Sequence, residues 1–223
     1  MDVHIGVGMG TKKLGTQTRQ RQILEAALQI TLENGLSGLN ITGLASRSGL
    51  VPAGIYRHFS SKDEIVDAVL YFLRNRLFAF IESIREETPD ALERLHLLLT
   101  RHLKLLLDHP GIPQIVFSDG IFSQVGNGFT KTSEIIEGYL ERVEQIVREG
   151  QVSRRICPGL DPKTVSVMFF GMILPVVILV RATSGEFDVE KHVAKAWPTF
   201  VSAITVHANG ERNRDYENHE NEG

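Results

Sequence analysis

Ile41-Thr-Gly-Leu-Ala-Ser-Arg-Ser-Gly49-Leu-Val-Pro-Ala-Gly-Ile-Tyr-Arg-His-Phe59 is the stretch whose reading decides the fold. Two short helical patterns meet at Gly49, where a helix-turn-helix needs its turn. Leu44 and Ala45 give the first helix an apolar inner side. The small Ala45 lets the second helix cross closely, and Ile55 falls on that helix's buried side. Ala53, Gly54, Tyr56, Arg57 and His58 remain outward, small or donor-rich groups suited to a DNA groove. Such a unit buries too little surface to stand alone, so other helices must support it.

Those helices are legible on both sides. Upstream, Arg19 to Asn34 carries Ile23, Ala26, Ala27, Ile30 and Thr31 at a period near 3.6. Asn34-Gly35 reads as its stop. Downstream, Ser61 as N-cap places Glu64 at N3 and completes a capping box. Ile65, Val66, Val69, Leu70, Leu73, Leu77 and Ile81 then continue one long helix.

The order of these parts, with Leu39-Asn40-Ile41-Thr42, Tyr56-Arg57-His58-Phe59 and Lys62-Asp63-Glu64-Ile65 in register, resembles the amino-terminal DNA-binding domain of TetR-family transcriptional regulators. The resemblance covers Arg19 to Leu73. Phe117-Ser118-Asp119-Gly120-Ile121-Phe122 is also similar to some family members. The resemblance implies an all-α protein: a three-helix DNA-binding head and a carboxyl-terminal helical bundle for ligand binding and dimerisation, about nine helices in total. Residues 1–17 are expected to be a disordered tail, 18–63 the DNA-binding domain, 64–208 the ligand and dimer domain, and 209–223 a disordered acidic tail.

Composition agrees. The 223 residues are 42% hydrophobic, enough for a core, and the net charge is −3. Through Lys62 there are seven basic residues against three acidic ones, a surplus of +4, which leaves −7 for the remainder. A basic head on an acidic body orients the molecule on a polyanion. One cysteine, Cys157, excludes an intrachain disulfide and suits a reducing cytoplasm. Gly6, Gly8 and Gly10 are not followed by Gly-Lys-Ser/Thr at phosphate-loop spacing. The apolar run Val167 to Val180 reads as too short for a membrane span and is interrupted by Pro175. No Gly-x-Ser-x-Gly, His-Glu-x-x-His or paired cysteines point to an enzyme, and no cofactor or metal is expected.

The bundle has its own punctuation. Thr88-Pro89-Asp90 reads as cap, N1 proline and first-turn acid. His109-Pro110 ends that leucine-rich helix. A short helix is expected from Ile112 to Ser118 and a looser segment from Gly120 to Gly128, with Gly150 stopping the helix that follows. Asp161 and Asp188 open the last two helices. Pro175 and Pro198 predict kinks.

Each DNA contact has a stated role. Thr42 is expected to cap the first helix of the motif and to meet a phosphate. Arg47 projects toward phosphate or solvent. Ala53 and Gly54 permit close approach, with Ala53 able to touch a thymine methyl. Tyr56 resembles the family tyrosine that meets backbone or base. Arg57 is the direct base reader. His58 contacts phosphate, Lys62 adds charge at a helix N-terminus, and Phe59 is core. The family often has serine or threonine where this chain has Pro52, so a hydroxyl contact is lost there.

The helix from Asp161 to Thr183 is apolar nearly all round and must be covered on all sides. In the family the two final helices pair with a twin. Val165, Phe169, Met172, Val176, Trp197, Phe200, Val201 and Ile204 are the interface expected here. The resemblance also implies a small effector inside the bundle, whose binding tilts the helix from Lys62 to Arg85. Leu99, His102, Leu103, Phe117, Phe122, Phe129, Tyr139, Phe170 and Leu174 are candidate lining residues, ordinary core being the alternative for each. No helix aims two strong charges inward, so an apolar or aromatic effector is expected. The reading is thus a cytoplasmic, nucleoid-associated homodimeric repressor released from a palindromic operator. The alternative is a DNA-bound adaptor that binds another protein and no small molecule.

Overall fold

The computed structural model describes residues 10–116 and 127–205, with side chains from 15 and from 131 onward in those two segments. Every regular element among them is helical: α1 Gly10–Asn34, α2 Ile41–Ser48, α3 Pro52–Tyr56, α4 Lys62–Glu87, α5 Ala91–Asp108, α6 Gly111–Val116, α7 Asn127–Val152, α8 Pro162–Gly171, α9 Leu174–Ala182 and α10 Val189–Ile204, with a 3-10 turn at Leu36–Gly38. The chain forms two compact units, Met1–Ala79 with Leu103–Gly138, and Phe80–His102 with Tyr139–Gly223. Helices α4, α5 and α7 each contribute to both, so the units do not follow the boundary read at residues 63 and 64.

The first unit is built on α1. Ile23, Ala26, Ala27 and Ile30 are buried at helical spacing, as are Leu44, Ala45, Ile55 and Phe59 of the motif and Ile65, Val66 and Val69 of α4. The helix begins at Gly10, so residues 10–17 are helical rather than a structureless tail. Lys, Leu and Gln in that stretch favour helix against the glycines. Residues 1–9 and 206–223 lie outside the described residues. Gly111 lets α6 approach the backbone of Leu28 so closely that a Cβ there would meet its carbonyl oxygen at 2.2 Å. Gln114 Nε2 donates to the Leu32 carbonyl at 3.2 Å.

In the second unit, Leu95, Leu98, Leu99, Val143, Ile146, Val147, Val165, Phe169, Ile173, Val176, Phe200 and Ile204 form the core. Burial of each such side chain contributes about 1.5–3 kcal/mol. Glu149 of α7 accepts from Arg85 and Arg94, both at 2.5 Å, which ties α7 to α4 and α5.

Several local readings are corrected. Asp90, not Thr88, caps α5, its Oδ1 accepting from Leu92 N at 2.9 Å and Glu93 N at 3.0 Å. Thr88 Oγ1 instead accepts from Asp90 N. Gly150 does not stop α7. It lies inside the helix because a Cβ there would meet Ile156 Cδ1 at 2.6 Å and Ala91 Cβ at 2.9 Å. The stop is a Schellman motif with Arg154 at φ 57°, Arg155 N bonding Gly150 O and Arg154 N bonding Gln151 O. The helix expected from Asp161 to Thr183 is two. Pro175 cannot donate, and the ladder tightens to i−3 bonds at Met172 and Ile173 before α9 starts. The apolar stretch is also longer than read: Pro162–Ala182 spans 21 residues at mean hydropathy 2.3, long and apolar enough by those measures to cross a membrane. The segment breaks in the middle, however, and turns Val165, Phe169, Ile173 and Val176 into its own core. Asp161 and Asp188 cap α8 and α10 as expected, accepting from Thr164 N and Lys191 N.

Candidate functional site

The motif is held by three local devices. Asn40, in extended backbone, caps α2 by accepting from Gly43 N at 2.8 Å, and its Nδ2 donates to Gly38 O at 2.9 Å. The cap is therefore Asn40 rather than Thr42, which is exposed in the first turn. Asparagine leads the cap preferences, so this signal was present two residues upstream. Gly49 takes φ 65° and turns the chain, while Leu50 N bonds Ala45 O at 2.9 Å. Only glycine enters that region without strain. Pro52 then starts α3 at its preset φ.

Ile55 is fully buried beneath α3, and its register throws Ala53, Tyr56 and Arg57 outward, with Gly54 and His58 half-buried. Tyr56 is 56% exposed. Arg57 makes no ion pair among the described residues, so its guanidinium is available. Phe59 is core, as read. Val51, 68% exposed beside Pro52, joins this surface. Its signal in the sequence is an apolar residue at a capping position, where a hydroxyl or amide is the rule.

Arg47 is placed differently. Its guanidinium forms a two-pronged pair with Glu33 of α1, Nη1 to Oε1 at 2.8 Å. That pair fixes α1 against α2, and the Arg47 side chain is still 36% exposed, so it braces the motif and stays in the candidate contact set. Lys62 stands half-buried at the start of α4. There Ser61 Oγ accepts from Glu64 N at 3.1 Å, but Glu64 Oε2 reaches back to Ser60 N at 2.6 Å and Ser60 Oγ at 2.7 Å. The reciprocal arm of the expected box thus lands one residue earlier. Those two bonds lower the Glu64 pKa.

Of the lining candidates, His102, Tyr139 and Phe170 come together. His102 Nδ1 lies 3.0 Å from Tyr139 Oη, and the Phe170 ring lies 5.8 Å from that of Tyr139. Burial holds the His102 pKa down to about 3 and raises that of Tyr139. Leu99 and Leu103 are buried and Leu174 half-buried. Phe117 and Phe122 lie outside the described residues, as does the side chain of Phe129.

The expected dimer residues split. Val165, Phe169, Val176, Phe200 and Ile204 are at most 6% exposed in the protomer's own core, so they have no surface to give a twin. Met172, Trp197 and Val201 are half-buried, and Trp197 stacks on His96 of its own chain at 4.9 Å. The opposite flank is the exposed one: Val167, Met168, Ile178 and Leu179 on α8 and α9, with Gly171 and Pro175 between them. Periodicity could not choose between the two flanks, because the helix is apolar on both.

Comparison with known proteins matches the fold. Residues 23–69 fit the family of bacterial regulatory proteins, tetR family, and residues 73–203 fit the YsiA-like protein, C-terminal region. The fatty acid metabolism regulator protein of Bacillus subtilis is 28% identical over 155 residues, covering 68% of this chain and 78% of that protein. A nucleoid occlusion factor SlmA from Vibrio atlanticus is 27% identical over 166 residues, covering 74% and 83%. The structure of FadR from Bacillus subtilis in complex with stearoyl-CoA superposes with TM-score 0.68 at 26% identity, covering 84% of this chain and 99% of that one. A ketosteroid transcriptional regulator of Mycobacterium tuberculosis shares the fold with TM-score 0.70 at 22% identity, covering 85% and 96%. With the two family matches abutting across most of its length, the chain belongs to the TetR family of DNA-binding transcriptional regulators.

Proposed function

We propose that this protein is a homodimeric repressor, working on the nucleoid in the cytoplasm, that leaves a palindromic operator when a long-chain acyl-CoA binds its carboxyl-terminal half. The observation that carries the reading is the match of residues 73–203 to the YsiA-like region, together with the likeness to the stearoyl-CoA complex over nearly the whole of that chain. An acyl chain is an apolar effector, in keeping with an interior in which leucine, isoleucine and valine dominate.

The homodimer rests on the uncovered stripe. Positions 167, 168, 171, 175, 178 and 179 follow spacings of one, three and four residues, which is one face of a helical pair. Exposed apolar side chains there, up to 64% for Ile178, favour a second copy. Two copies present two recognition helices to half-sites about 34–36 Å apart. The effector must favour the non-binding arrangement, by roughly 5.5 kcal/mol for a complete switch.

A DNA-bound adaptor is the second reading, favoured by the nucleoid occlusion factors among the relatives. One experiment separates the two. Fragments bound by the full chain are selected from random DNA and tested for release by stearoyl-CoA. Release supports the sensor; stable complexes at saturating acyl-CoA support the adaptor. Arg57→Ala and Tyr56→Ala should abolish specific binding without altering helicity, since both side chains are exposed. Loss of a good base contact removes about 1–3 kcal/mol of discrimination. Retention of parental binding by both variants would refute the assignment of α3 as reader.

A further inference from the structure

The pair formed by His102 on α5 and Tyr139 on α7 has one hydrogen too many. His102 is 4% exposed and Tyr139 1%, with the rings edge to face at 5.1 Å. Burial keeps the imidazole neutral and the phenol protonated. The neutral pair therefore carries two polar hydrogens, one on the ring and one on the hydroxyl. A single hydrogen bond joins them, Nδ1 to Oη at 3.0 Å. If the phenol donates to Nδ1, the ring hydrogen sits on Nε2 and finds no acceptor among the described residues. If Nδ1–H donates to the phenol oxygen, the phenol hydrogen is left over instead. Either tautomer leaves one buried donor to be satisfied.

What satisfies it is constrained by the surroundings. The described side-chain atoms that are wholly enclosed and unpartnered are the hydroxyls of Thr31 and Thr132. The leftover donor of the His102–Tyr139 pair belongs to residues at most 4% exposed and has no acceptor among the described residues. Phe170 closes on Tyr139 from α8, and Leu98 and Leu99 of α5 are buried nearby in sequence, which makes the setting apolar apart from the pair. A neutral acceptor on a largely apolar molecule fits this setting. The imidazole, held neutral, brings no charge of its own to an anion.

We infer that the His102–Tyr139 pair reads the carbonyl oxygen of an acyl thioester, donating one hydrogen bond to it while the hydrocarbon chain fills apolar space. The inference rests on the acyl-CoA reading above and adds to it the residues that recognise the reacting end of the acyl group. The pair is a selectivity device: it distinguishes a thioester from an otherwise identical molecule lacking the carbonyl. A site built to hydrogen-bond a group rejects the analogue without it, because its own donor is then left unsatisfied.

The test compares stearoyl-CoA with S-octadecyl-CoA, the thioether in which a methylene replaces the carbonyl, by calorimetry on the full chain. The parent should bind the thioester about tenfold or more tightly than the thioether. In His102→Leu/Tyr139→Phe, which removes both donors and keeps apolar volume, the ratio should fall to about one. Nitrogen NMR of the labelled parent gives a reading that needs no variant: an imidazole resonance should move with stearoyl-CoA and stay with the thioether. Equal affinities, or a preference that survives the double substitution, overturn the carbonyl reader and leave the acyl-CoA sensor standing. Binding of neither compound overturns both. A ring resonance indifferent to stearoyl-CoA overturns the inference even if the double variant does not fold.

Discussion

Lowering the pH from 7.5 to 5.0 should destabilise this protein through His102 by an amount that can be worked out. Burial brings the folded pKa from 6.5 down to about 3. A depressed histidine favours its neutral form in the fold, while the unfolded chain takes up a proton below pH 6.5. The folded state binds fewer protons throughout that window, so stability is intact above 6.5 and declines as the pH falls toward 3. The limiting slope is about 1.4 kcal/mol per pH unit. Over the interval to pH 5.0 the loss is about 2 kcal/mol. It changes little for any folded value below 4, since pH 5.0 is then still above it. Urea midpoints of parent and His102→Leu, at both pH values and one protein concentration, isolate the contribution. The parent midpoint should fall further than that of the variant by roughly 1 M, for a slope of about 2 kcal/mol per M. Identical decreases in the two proteins would show that His102 is protonated or solvated in the fold, and the neutral pair would have to be abandoned.

Three further outcomes follow from the geometry. Gly111→Ala puts a Cβ 2.2 Å from the Leu28 carbonyl oxygen, a backbone atom with no rotamer to yield. It should lower stability by about 1–3 kcal/mol, whereas Gly159→Ala, whose Cβ would meet nothing within 4 Å, should leave the melting temperature nearly unchanged; equal effects would refute the close α1–α6 contact. Thr31→Val replaces an enclosed hydroxyl that has no partner among the described residues by a methyl of the same shape. Denaturant unfolding should show a gain of about 1 kcal/mol, and a loss would mean that the hydroxyl is bonded. Asn40→Ala removes the cap on Gly43 N and should lower stability by about 1 kcal/mol; an unmoved unfolding midpoint would return the capping role to another residue.

Much of the head was legible because its signals are local. Gly49 and Pro52 act through their own backbone preferences, and Ile55 and Phe59 through the period of a helix packed on one side. The errors at helix starts, in the head and at α5, are small displacements among near-equivalent polar groups: Asn40 for Thr42, Asp90 for Thr88, Ser60 for Ser61 as the partner of Glu64. Each choice depends on which residue stands in extended backbone just before the first turn, and that is settled by packing rather than by residue type. Arg47 shows a different limit. Its partner Glu33 lies 14 residues away, and nothing in a one-dimensional pattern says that two exposed charges on separate helices will meet.

The bundle was legible in kind and not in orientation, for a reason that also bears on function. A helix carries facing information only through contrast between its sides. α8 and α9 have almost none, so a pattern cannot separate residues facing the protomer from residues facing outward. Val165, Phe169 and Val176 fill the protomer's core, whereas Val167, Met168 and Ile178 stand out from it. An isolated soluble helix would be expected to place polar groups at the outward positions. Their apolar character is therefore itself informative: it stands where the described residues give it no cover, which is what the proposed dimer would supply. The same logic runs in reverse at His102, where a polar group stands on the side of α5 that contrast says should be leucine. In each case the residue that violates the local pattern is the one on which the proposals rest, Ile178 for a second copy and His102 for an effector.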